Sequence, residues 1–292
     1  MSARAPRPQS SSVFYYLLGY NILAALGWLY IDALVARHFL AHGALGAPAA
    51  LYAAAQAPLK AVQTAALLEV AHAALGLVRG DAFVAFVQVF ARLAVLWGFV
   101  HVCAAAQASP AFSVMLASWA LVEVPRYAFY ALNLVDARAA TRARARALKE
   151  EGGAGDAAAA EAAAECAAAA APRVLPRWLL WLRYSLFIVL YPPGIAGEIG
   201  CILASLETLR SRGAELGVSV QMPNAWNVRY DHYAVALFLL TLYVPGSPYM
   251  VMNMWRSRVK ALGKVDAAAP RERRGQRRER GLDARELRPA AP

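Results

Sequence analysis

The chain has 292 residues, 60% of them hydrophobic and 17% charged, with a net charge of +11. Its mean hydropathy is +0.40, whereas soluble domains carry nearer about 25% charged residues. The composition therefore excludes an ordinary soluble domain and points to a protein that crosses a membrane several times. Much of the positive charge follows an apolar segment, which fits the cytosolic flank of a membrane span and argues against a nucleic-acid surface.

In chain order, residues 1–12 form a polar, Pro/Ser-rich tail with Arg4 and Arg7. The apolar run after it is too long for a signal-peptide core and reads as a first span. About 20 apolar residues are needed to cross a bilayer, and six windows meet that length. They cover roughly 13–35, 57–78, 82–105, 110–135, 178–206 and 233–255. The sequence thus predicts an all-α, polytopic membrane protein, a bundle of six transmembrane helices spanning 13–255. Between the fourth and fifth windows, 150–171 is almost entirely Ala, Gly and Glu, a low-complexity cytosolic linker without an apolar stripe to pack. The stretch 256–292 is a basic tail with the composition of a disordered segment.

The loop charges set an orientation. Arg4 and Arg7, then Arg79, then Arg138, Arg142, Arg144, Arg146, Lys149, Arg173 and Arg177, and finally the basic tail lie on one side. The alternate loops carry fewer basic residues. That asymmetry places both termini in the cytosol. The cysteines, Cys103, Cys166 and Cys201, are scattered, with no CxxC and no metal spacing.

Ionisable residues inside apolar windows are functional candidates, because a charge at the bilayer centre costs about 2.5–3.5 kcal/mol on insertion scales. Residues three or four apart share a helix face. By that rule Glu69 faces His72, Gln88 faces Arg92, and Glu123 faces Arg126 and Tyr127, with Tyr130 beyond. Each set reads either as helices held together by mutual satisfaction or as part of a site. In the fifth window Arg183 precedes Leu190-Tyr191-Pro192-Pro193-Gly194, and Glu198 follows. Tyr191 and Glu198 are two turns apart, about 10.5 Å of helical rise, and share a face. The prolines free backbone carbonyls and Gly194 permits close approach, so the helix is expected to be irregular here, as happens at membrane depth where backbone lines a cavity. Glu198 has no basic residue within one turn, so its partner must come from another helix. Spacing alone leaves the pair either structural or chemical.

Several chemistries are excluded. His72-Ala73-Ala74-Leu75-Gly76-Leu77-Val78-Arg79 mimics the His-Cys-x5-Arg loop of tyrosine phosphatases, but Ala73 stands at the cysteine position, so there is no thiolate nucleophile. There is no HExxH, GxSxG or phosphate-cradling glycine loop. The five histidines are too dispersed for a desaturase-type metal centre.

The ordered fragments Tyr16-Leu17 with Tyr20-Asn21 and Gly27-Trp28, Leu68-Glu69-Val70 with His72, Gln88-Val89 with Arg92 and Trp97, Ser118-Trp119 with Glu123-Val124 and Arg126-Tyr127, and Leu182-Arg183-Tyr184 with Leu190-Tyr191-Pro192, Gly194 and Glu198 carry a resemblance. Together they resemble the very-long-chain (3R)-3-hydroxyacyl-CoA dehydratases, also called protein tyrosine phosphatase-like proteins. The likeness runs over roughly 13–255. Departures are Gly80, Ala120 and Pro125, and the Ala-rich linker, which looks like an insertion; none touches Tyr191 or Glu198.

The resemblance implies a multi-pass endoplasmic reticulum protein that removes water from a 3-hydroxyacyl-CoA to give a trans-2-enoyl-CoA, the third step of fatty-acid elongation. It implies Tyr191 and Glu198 as the catalytic pair, with Glu69, Arg92, Glu123, Arg126, Arg183 and Gly194 supporting. It requires no metal or redox cofactor. The implied partners are the acyl-CoA substrate, membrane lipid, and the condensing enzyme and reductases of the cycle. Which of Tyr191 and Glu198 serves as base stays open at this stage. The alternative is a catalytically inactive membrane scaffold that binds acyl-CoA or elongase partners.

Overall fold

The structure is a computed structural model that describes residues 10–78, 80–151 and 157–268. The sequence-based assignments for the first nine residues, Arg79, residues 152–156 and the tail beyond 268 lie outside it. By its contacts the chain divides into Met1–Ser247, which holds the site, and Pro248–Pro292, whose described part is helical.

The described residues are helical, with no strands beyond an isolated bridge between Val220 and Tyr230. Helix α1 is Ser11–His42, opened by Ser10, whose hydroxyl accepts from the Val13 N–H. Helices α2 (Pro48–Ala65) and α3 (Leu67–Ala74) meet at Ala66. Helix α4 (Ala82–Leu93), capped by Asp81, continues as a π-helix over Ala94–Val100. The wide turn occurs where the Gly98 carbonyl accepts a hydrogen bond from His232 Nε2 at 2.9 Å, drawing that oxygen out of the helical ladder. A short α5 (Ala104–Gln107) leads into the long α6 (Pro110–Glu151). Then follow α7 (Ala157–Ala170), α8 (Arg177–Ser185), α9 (Phe187–Arg212) and α10 (His232–Ala268).

Among the described residues, four stretches are long and apolar enough to cross a membrane: Ser11–His42, Ala82–Val100, Arg177–Arg212 and His232–Gly263. Their outer faces carry large bare apolar side chains, including Leu23, Phe83, Phe90, Val189 and Phe238. In water, apolar faces of this extent mark an interaction surface; on helices of membrane-spanning length they are lipid-facing. The core between the helices contains Trp28, Phe99, Phe112, Met115, Tyr127 and Ile202.

Two expectations change. Pro192-Pro193-Gly194 does not break the helix: α9 runs unbroken through it, and the discontinuity lies upstream at Leu186. There the Leu186 carbonyl accepts from both Val189 N (3.1 Å) and Leu190 N (2.9 Å). The prolines fall within the first two turns of α9, so the steric demand of their rings on the preceding turn is absorbed at that junction. The Ala-rich stretch also packs. In α7, Ala160 and Ala164, one turn apart, bury their methyl groups, and Glu161 pairs with Arg144 of α6. Alanine faces allow close helix approach without a conventional apolar stripe.

Candidate functional site

Helix α9 carries the two residues on which the sequence argument turned. Because α9 is continuous, Tyr191 and Glu198 stay about two turns apart, near 10 Å along the axis. No hydrogen bond joins them. The Glu198 carboxylate is held from two other helices. Trp119 of α6 donates its indole N–H to Oε1 at 2.8 Å, and Tyr243 of α10 donates its hydroxyl to Oε2 at 2.7 Å. The partner that Glu198 had to find on another helix is thus two neutral donors rather than a basic residue. Tyr191 is half-buried and makes no hydrogen bond to a described residue. Its hydroxyl is available to a ligand.

A second group of polar side chains lies beside this pair. Arg126 donates Nη1 to Glu123 Oε2 at 2.6 Å and Nη2 to Glu69 Oε2. Arg92 donates to Glu123 Oε1, and the Tyr127 hydroxyl donates to Glu69 Oε1. Arg183 donates to the Tyr130 hydroxyl at 3.0 Å. Glu123 is 1% exposed and has a guanidinium on each oxygen. The Arg92 guanidinium also lies over the Trp119 ring, 5.5 Å from its centre. The ionic group and the Glu198 carboxylate therefore share one physical link, the indole of Trp119. Two guanidiniums, of Arg92 and Arg126, are paired with two carboxylates, of Glu123 and Glu69, while Arg183 meets the Tyr130 hydroxyl.

The sequence-derived residues are thus brought together, but not always with the expected neighbours. Glu69 does not pair with His72, whose ring is hydrogen-bonded to the Tyr16 hydroxyl at 2.9 Å. Arg92 reaches across to Glu123 rather than pairing with Gln88. The ion pair of Glu123 with Arg126 is present. Gly194 is buried, but a Cβ there would meet only Ser118 Cβ at 3.4 Å. The glycines that set the helix approach are Gly197, where a Cβ would lie 2.6 Å from the Met115 backbone N and 2.8 Å from the Ala111 carbonyl O, and Gly200, where it would lie 2.5 Å from the Ala111 Cβ. Sequence reasoning also missed Tyr243, a lone tyrosine with no local signal, and gave Trp119 no role. Trp119 was detectable: it lies four residues before Glu123, on the same face of α6.

Among the described residues, no three His, Cys, Asp or Glu side chains cluster to hold a metal ion. The arrangement offers a fixed carboxylate and a phenol without a described partner on one face of α9; the free Cys201 thiol, one turn beyond Glu198, is fully buried, and no serine–histidine pair lies beside them among the described residues. That combination suits proton transfer rather than covalent catalysis.

The fold and site define an all-helical membrane protein whose helices hold a carboxylate, Glu198, between Trp119 and Tyr243. The description "Protein tyrosine phosphatase-like protein, PTPLA" matches residues 63–146 and 165–264; the unmatched interval falls in the Ala-rich stretch. The chain belongs to this family. It is 32% identical over 253 residues to the very-long-chain (3R)-3-hydroxyacyl-CoA dehydratase PASTICCINO 2A of Oryza sativa subsp. japonica, covering 87% of this chain and 95% of that one. It is 30% identical over 251 residues to very-long-chain (3R)-3-hydroxyacyl-CoA dehydratase 2 of Homo sapiens, covering 86% and 82%. It is 34% identical over 254 residues to the dehydratase hpo-8 of Caenorhabditis elegans, covering 86% and 96%. No solved structure matches the chain.

Proposed function

We propose that this protein is a hydro-lyase that dehydrates (3R)-3-hydroxyacyl-CoA to trans-2-enoyl-CoA in very-long-chain fatty-acid elongation. The names of its relatives and its family membership support that activity. The observation that carries the site is the Glu198 carboxylate, fixed by Trp119 and Tyr243, on the same helix face as the free Tyr191 hydroxyl. Glu198 takes the proton from C2, beside the thioester. The C2–H electrons form the C2–C3 double bond, and the C3–O bond breaks with its pair leaving on oxygen. Tyr191 gives its proton to that oxygen, which departs as water, and the proton on Glu198 then returns to Tyr191 through solvent. The separation of about two helical turns leaves room for the substrate carbons between the two groups. A scaffold that only bound acyl-CoA would gain nothing from a clamped carboxylate at this depth.

The finer reading of the fold is a six-span protein of the endoplasmic reticulum membrane with both termini cytosolic, acting beside the condensing enzyme and reductases of the cycle. Its support is the alternating helix direction. Along α1 and the α2–α3 pair, Tyr16 meets His72 and Tyr20 meets the Ala65 carbonyl. Along α6 and α9, Ser118 is near Gly194 and Ala111 near Gly200. In both cases residue numbers rise on one helix as they fall on the other, as consecutive spans require.

Purified Glu198→Gln and Tyr191→Phe variants test the assignment. Each is expected to lose about 100-fold or more in enoyl-CoA formation. Wild-type turnover in either variant overturns the assignment of that residue.

A further inference from the structure

We propose that Trp119 and Tyr243 are positioning residues for the elimination, and that Glu198 works through Oε2, the oxygen on the Tyr243 side. This rests on the dehydratase reading above. Both carboxylate oxygens are occupied, so one must change its partner before it accepts a proton. The two donors differ in kind. The indole N–H of Trp119 donates only, and the residue is 3% exposed with the Arg92 guanidinium over its ring face. Arg92 is itself bound to Glu123, which is bound to Arg126. Oε1 is therefore tied through Trp119 to the ion-paired group of Arg92, Glu123 and Arg126. The Tyr243 hydroxyl both donates and accepts, and rotates about its C–O bond. It can withdraw its hydrogen from Oε2 without leaving its place.

Tyr191 lies on the same face of α9, about two turns before Glu198. The reacting carbons then lie between Oε2 and the Tyr191 hydroxyl. Trp119 fixes the carboxylate rotamer, and Tyr243 holds Oε2 on line until substrate replaces it. Displacing a reacting group by about 1 Å costs on the order of 10²-fold in rate. Loss of either donor should therefore act on the chemical step and not on acyl-CoA binding.

The experiment compares wild type, Trp119→Phe, Tyr243→Phe and Glu198→Gln, each purified in detergent, on 3-hydroxyacyl-CoA carrying hydrogen or deuterium at C2. For Trp119→Phe and Tyr243→Phe, kcat is expected to fall at least about 10-fold with KM within about twofold. The C2 deuterium isotope effect on kcat should rise, because proton removal becomes slower relative to other steps. A purely structural loss lowers the active fraction and leaves the isotope effect unchanged. An unchanged kcat in Tyr243→Phe, or a fall without a rise in isotope effect, overturns the proposal. Full activity in Glu198→Gln overturns instead the reading on which it rests.

Discussion

Arg126 serves two carboxylates on two helices, Glu123 on its own α6 and Glu69 on α3. Burying these charges is favourable only while each has its partner. Replacing Arg126 by Met leaves Glu69 with only the Tyr127 hydroxyl and Glu123 with only Arg92. Removing one member of a buried ion pair costs about 3–5 kcal/mol, so Arg126→Met should show a clearly lower unfolding midpoint in detergent. Adding Glu69→Gln to that variant removes the orphaned charge and should restore part of the loss. Strict additivity of the two changes would show that the residues do not interact. The sequence identified every member of this group but misassigned two pairings. The i,i+3 and i,i+4 rule finds residues on a common face, as it did for Glu69 with His72 and Gln88 with Arg92. It cannot show that Glu69 will take a guanidinium from a neighbouring helix in place of the His72 ring, or that Arg92 will take a carboxylate from one in place of the Gln88 amide.

At the scale of elements, the site depends on how closely α6 and α9 approach. The backbone of α6 at Ala111 and Met115 fills the space where a side chain on Gly197 would begin. Small residues of this kind let membrane helices pack backbone to backbone. Gly197→Ala should force the helices apart, at a cost of about 1–3 kcal/mol for overpacking, and should move Glu198, the next residue, away from Trp119. Both thermal stability and dehydratase turnover are expected to fall. Gly19→Ala on α1 is the control, because nothing lies within 4 Å of a Cβ there, and it should be neutral or slightly stabilising. Equal behaviour of the two variants would refute the close-packing account. The sequence drew attention to Gly194 because it follows two prolines. Which of three glycines at 194, 197 and 200 meets a neighbouring backbone depends on the rotation of α9 against α6, a tertiary property. The break expected at Pro192 moved to Leu186 for a related reason: the prolines set a demand on the helix, and packing decides which turn absorbs it.

For the molecule as a whole, the path of the bundle across the bilayer follows from which helices are apolar and which carry paired charges. Membership of the all-α class follows from six apolar windows of bilayer-spanning length, and these fall on α1, α2–α3, α4 with its π-helix, α6, α8–α9 and α10. Only four of these are apolar enough by length and hydropathy. The two that are not, α2–α3 and α6, carry Glu69, Glu123 and Arg126, which lower their hydropathy but satisfy one another. Paired charges cost less in a membrane than the same residues counted singly, so the six-span reading requires these two helices to cross as well. Six and four spans both put the termini on the same side, so terminal tags cannot separate them, but the internal turns can. With six spans and a cytosolic N-terminus, Gly80 is cytosolic and Ala108 lumenal; with four, the two exchange sides. Both positions are exposed, and the native exposed Cys166 is first replaced by Ser. In sealed microsomes a membrane-impermeant maleimide should label Gly80→Cys directly, and Ala108→Cys only after permeabilisation. The reverse pattern would leave α2–α3 and α6 on single sides of the membrane and refute the six-span arrangement.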